Sequence, residues 1–115
     1  MYQNLKEIAD DVKARENLMT LSMGILTRAY GAGRGGSTVR SNIARELASL
    51  GVGHLPVELP NWGNEQVRLY IRGTAIADLI TAVENLGENH DATLRRLASA
   101  SSEDTLKKIR ELVCD

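Results

Sequence analysis

At the start of the chain, apolar residues recur at helical spacing. Leu5, Ile8, Ala9 and Val12 share one face of a helix predicted over about residues 2–14. A second helix is expected over about 16–30, where Met19, Met23, Leu26 and Tyr30 form one stripe and Leu18, Leu21 and Ile25 another beside it. A helix apolar over so much of its circumference belongs at the centre of a core. Residues 31–36 (GAGRGG) cannot continue it, because four glycines in six positions make helical backbone expensive. Ser37 or Thr38 then offers an N-cap. Val39, Ile43, Leu47 and Leu50 repeat at helical spacing up to Gly51, a C-cap, which gives a third helix over 37–50.

Beyond Gly51 the period changes to two. Leu55, Val57 and Leu59 alternate, residues 60–64 (PNWGN) supply turn chemistry, and Val67, Leu69 and Ile71 alternate with Arg68, Tyr70 and Arg72. This reads as a β-hairpin with a loop of about six residues. Pro56 and Pro60 make its first arm a short or edge strand. The helical period returns after Gly73. Thr74 caps a helix with Ile76, Leu79, Ile80 and Val83 inward, ending near Gly87. A short helix follows at about 91–98, then one capped by Ser101 or Ser102 with Leu106, Ile109, Leu112 and Val113 inward.

Composition narrows the class. The chain has 115 residues, enough for one domain, with 43% hydrophobic residues, no Phe, one Trp and three Tyr. Its core is therefore aliphatic, which favours helices over a β-sandwich. The single cysteine, Cys114, excludes an internal disulfide framework and points to a reducing, cytoplasmic setting. No apolar run approaches the roughly 18 residues of a membrane span. The expected fold class is α+β, mostly α.

Charge is unevenly distributed. Between residues 28 and 72 every basic residue is an arginine. Arg28, Arg34, Arg40, Arg45, Arg68 and Arg72 stand against Glu46, Glu58 and Glu65, a local +3 in a chain whose net charge is −1. Such a field is the usual footprint of an anionic partner. The order helix, helix, turn, helix, hairpin over residues 2–72 resembles that of winged helix-turn-helix DNA-binding domains. That resemblance implies a winged-helix-like core with a C-terminal helical extension at 74–113, all in one domain of 1–115. It also implies that helix 37–50 enters the major groove while the hairpin wing touches the backbone.

Carried onto this sequence, the resemblance puts Thr38, Arg40, Ser41, Asn42 and Arg45 outward on the third helix, able to hydrogen-bond base edges and phosphates. Arg34 and Ser37 sit at its start. On the wing, Arg68, Tyr70 and Arg72 share the face opposite Val67, Leu69 and Ile71, suited to a phosphate backbone. Trp62 at the hairpin tip is expected to fold back over the hairpin's own apolar surface. The partner so implied is double-stranded DNA. The alternative is an assembly adaptor whose arginines meet an acidic protein, which the overall −1 charge favours.

Other chemistries fit less well. The string GAGRGG matches G-x-G-x-x-G, with Glu58 about 22 residues beyond Gly36, but a dinucleotide site needs a strand before it, and residues 26–30 read as the end of a helix. Free N–H groups at Gly35, Gly36 and Ser37 could still hold a phosphate. His54, at the hairpin entrance, suits a structural hydrogen bond, and His90 a loop position or a helix cap. The two are far apart and have no Cys–His spacing for a metal, so neither cofactor, metal nor enzyme activity is expected. The C-terminal helices could complete a monomeric core or form a homodimer.

Overall fold

Asn4 opens the first helix. In this computed structural model, which describes residues 2–99, α1 spans Leu5–Ala14. The Asn4 side chain accepts the Glu7 N–H at 2.9 Å, and the Glu7 carboxylate accepts the Gln3 N–H at 2.8 Å. Two amides at the helix start are thereby satisfied. Leu5, Ile8, Ala9 and Val12 are all buried, as their spacing requires. The helix stops because Glu16 and Asn17 both adopt left-handed backbone, φ 60° and 71°, with the Asn17 N–H bonded to the Val12 carbonyl at 2.9 Å.

This reversal corrects the expected helix over 16–30. Residues Leu18–Ser22 form strand β1, with Met19 and Leu21 buried and Thr20 exposed, and only Met23–Tyr30 form helix α2. Apolar residues at 18, 19, 21, 23, 25 and 26 fit both periods, so pattern alone cannot separate strand from helix. The boundary is set by Ser22, whose Oγ accepts the Ile25 N–H at 3.4 Å. Gly31, at φ 95°, ends α2 in a conformation that costs glycine little.

Helix α3 spans Ser37–Ser49, and Gly36, not Ser37 or Thr38, occupies its N-cap, with no side-chain hydrogen bond to the first turn. Ile43 and Leu47 are fully buried, and Val39 and Leu50 partly so. Strands β2, Val52–Leu55, and β3, Gln66–Ile71, follow. The three strands form one antiparallel sheet in the order β1-β3-β2. Leu69 lies opposite Met19 on one side and His54 on the other, and Val67 lies opposite Leu21. The first hairpin arm is earlier than the alternation of Leu55, Val57 and Leu59 predicts, and the connection, 56–65, is longer. Pro56 has no N–H to donate, so pairing ends at Leu55. Leu59 tucks into the core, while Val57 is 72% exposed. One face of the sheet and the three helices enclose this core.

The chain divides into two compact units, Met1–Ala77 and Asp78–Asp115. Their boundary falls inside α4, Ala75–Glu84. Thr74 caps α4 as expected, accepting the Ala77 N–H at 3.2 Å and donating to the Ile71 carbonyl at 2.6 Å. Ala77 and Ala82 are buried in it, whereas Val83, expected inward, is 64% exposed. Helix α5 spans Glu88–Ser99, longer than the predicted 91–98, and takes His90 into its first turn rather than leaving it in a loop or at a cap. The predicted last helix and Cys114 lie outside the described residues. Among the described residues no helix is long and apolar enough to cross a membrane.

Tyr2 ties the segment before α1 to its second turn by a hydrogen bond from its hydroxyl to Asp11. That bond, aided by nearby Arg15, holds the Asp11 carboxyl below its ordinary range, and the same bond, with partial burial and against the pull of Arg15, raises the Tyr2 phenol above its own. The unfolded chain therefore binds more protons at Asp11, and the stabilisation is lost as pH falls through the lowered value. At the alkaline end it is lost as pH rises through the raised phenol value. Thermal melts of wild type and Tyr2→Phe should differ most near neutral pH, and the gap should begin to narrow as pH falls below about 3.9. A pH-independent gap would show that the bond does not couple to folding.

Candidate functional site

Every residue assigned to the nucleic-acid contact from sequence lies in the first unit. On α3, Ser37, Thr38, Ser41 and Arg45 are exposed, and Arg40 and Asn42 are half-buried. Arg34 is exposed in the loop before the helix. That loop is pinned at both ends. The Gly31 and Ala32 N–H groups donate to the Arg28 and Thr27 carbonyls at 3.0 and 3.1 Å, and the Arg40 guanidinium donates to the Gly35 carbonyl at 2.6 Å. Arg40 thus has a structural task as well as a charge.

The wing residues separate from this group. Alternation along β3 puts Arg68 and Tyr70 on the face of the sheet turned away from buried Val67 and Leu69, and so away from the helices. Tyr70 is committed to that face. It pairs with Gly53 across the ladder and lays its ring over the glycine, where any Cβ would overlap it. Arg72 is exposed just beyond β3, with its N–H on the Gly51 carbonyl at 2.8 Å. His54 makes the structural bond expected of it, its Nδ1 2.8 Å from the Pro56 carbonyl oxygen.

In the middle of the chain the arginines have no close carboxylate partner among the described residues. Among the described residues, none of Arg28, Arg34, Arg40, Arg45, Arg68 and Arg72 forms an ion pair; the pairs present are Arg15–Asp11 and Arg95–Glu88. Glu58 lines, with Ser37, Arg40 and Ser41, a cleft of about 330 Å³ between α3 and the 56–65 connection.

A larger cleft, about 640 Å³, opens on the other side of that connection. Its walls are one side of α2, the 33–36 loop and the tip of the 56–65 connection. The tip is fastened to α2: Gly24 N–H donates to the Gly63 carbonyl at 3.0 Å and Met23 N–H to that of Glu65 at 2.9 Å. The two glycine backbones meet so closely that a Cβ on Gly24 would lie 3.2 Å from the Gly63 oxygen. Trp62, expected to fold back onto the hairpin, is instead 70% exposed and lines this cleft with Arg28 and Arg34. The hairpin's apolar side is already covered by the helices, which leaves the indole nothing to cover there.

Comparison with protein-family models, curated proteins and solved structures finds no match. Function is therefore read from geometry. Sequence reasoning had counted Arg28 only as charge and had no reason to join it to Trp62. The available signal was Gly24, a helix-disfavouring residue inside a predicted helix, which marks a close backbone approach.

The Tyr70–Gly53 fit yields a direct test. Gly53→Ala should cost about 1–3 kcal/mol of stability, the usual range for overpacking. Most of that cost should vanish in a Tyr70→Ala background, measured by denaturant unfolding of the four proteins in the cycle. Equal costs in both backgrounds would place the strain elsewhere than in the ring.

Proposed function

We propose that the first unit is a non-enzymatic, winged-helix-like DNA-binding module that presents α3 to duplex DNA. The reading rests chiefly on the six arginines of residues 28–72, a segment of net charge +3, which make no ion pair among the described residues. A cationic surface left uncompensated attracts a polyanion at long range and releases the partner's counterions on contact. The order α1, α2, loop, α3, hairpin is in keeping with it, with β1 added to the sheet.

In this reading Thr38, Ser41 and Arg45 meet the duplex first, as exposed side chains along α3 able to donate to bases or phosphates. Asn42 and Arg40 contribute from half-buried positions, and Ser37 and Arg34 from the start of the helix. Arg68 and Tyr70 face away from the helices and take no part in the same contact.

Fluorescence anisotropy with a mixed-sequence duplex, titrated at several salt concentrations, tests the proposal. Affinity should fall linearly in log–log salt. Arg45→Ala, which removes a side chain with no intramolecular bond to lose, should make the slope shallower by roughly 0.9 if it removes one phosphate contact. The double variant Arg40→Ala/Arg45→Ala should flatten it further. No binding at about 50 mM salt, where electrostatic association is exaggerated, would overturn the proposal and favour an acidic protein partner.

A further inference from the structure

We infer that the cleft between α2, the glycine-rich loop and the tip of the 56–65 connection is a binding site for a nucleotide unit, a phosphate joined to an aromatic base. Its size, about 640 Å³, falls within the range of small-ligand sites. Its chemistry is two-sided. Arg28 and Arg34 line it without any carboxylate in the lining, so the charge it accepts is negative. Their guanidinium groups can each offer two parallel N–H donors to a phosphate. Trp62 lines the same cleft with most of its surface open, and an indole face is a stacking platform for any base. A bare anion would leave the indole unused, and an apolar ligand would strip water from two cations. A nucleotide satisfies both.

The site is also held in shape before any ligand arrives. The Gly24–Gly63 and Met23–Glu65 backbone bonds fix the rim that carries Trp62, and the Arg40–Gly35 bond fixes the rim that carries Arg34. Arg28 comes from α2 itself, one residue after Thr27, whose hydroxyl donates to the Met23 carbonyl at 3.0 Å within the cleft wall. Pre-formed rims lower the ordering cost of binding. The nucleotide can be free or can be an unpaired residue of a strand, because the recognising groups are the same for both. The inference does not depend on the duplex reading: Arg34 enters both, but the cleft stands on Arg28 and Trp62 as well, and the duplex contact on Arg45 and the outward side of α3.

Trp62 is the chain's one tryptophan, so its emission reports on this cleft alone. Wild type and Arg28→Ala/Arg34→Ala are titrated with adenosine monophosphate, adenosine and a short single-stranded oligodeoxyadenylate, with circular dichroism confirming that the variant is folded. Adenosine monophosphate is expected to quench Trp62 saturably, and the double variant to bind it at least about tenfold more weakly. Adenosine, lacking the phosphate, should bind more weakly than the monophosphate. An oligonucleotide that saturates at far lower concentration than the monophosphate assigns the site to an unpaired nucleotide of a strand. Comparable concentrations assign it to the free ligand. Unchanged emission with every probe up to about 10 mM, beyond the range of weak millimolar complexes, would overturn the inference. Quenching equal in wild type and variant would overturn it as well. Arg45→Ala, which should weaken duplex binding, is expected to leave the Trp62 titration unchanged, so the two readings fail separately.

Discussion

Strand β3 is the constraint on which the first unit depends. It alone has a neighbour on each side, and its inward residues, Val67 and Leu69, are fully buried in the core to which α1, α2 and α3 all contribute. A two-stranded hairpin is marginal in water, whereas a third strand and a helical layer give it a face to bury. The left-handed turn at Glu16 and Asn17 exists to deliver that third strand. The Ile71 N–H closes the arrangement by donating to the Asn17 carbonyl at 3.1 Å, so the turn and the end of β3 are bonded to each other.

Where sequence and structure agree, the residues offered one period only. Leu5, Ile8, Ala9 and Val12 fit a helix and nothing else, and the same holds for Ile43 and Leu47 in α3 and for alternating Val67 and Leu69 in β3. Where they part, two periods competed or a backbone group decided. Residues 18–26 are apolar often enough to suit strand or helix, and the choice was made by two left-handed residues and a serine cap, neither of which hydropathy records. The first hairpin arm moved because an absent proline N–H outweighs an apolar alternation. The mostly helical α+β class was therefore legible, while the three-stranded sheet was not.

The binding surfaces were legible in the same uneven way. Arginine enrichment is a property of the string of residues, and the structure leaves those side chains without carboxylate partners among the described residues. Their grouping is a property of the fold. Arg34 and Arg28 are drawn to Trp62 by contacts between residues 24 and 63, a separation that no local pattern reports. Arg68 and Tyr70, adjacent to apolar wing residues in sequence, are carried to the opposite side of the sheet by simple alternation. Tyr70 then spends its ring on Gly53, so a residue type suited to a partner serves the strand beside it.

The outer strands are short, five residues in β1 and four in β2, and β2 ends at a proline. An unpaired strand edge is a template on which another chain can add itself, and the hazard grows with its length and flatness. Here each free edge offers only a few backbone groups before the chain turns into a helix or meets Pro56. A small sheet that needs three strands to be stable has thus acquired its third one without presenting a long ladder for self-association, which bears on how concentrated the protein can become before its copies begin to stack.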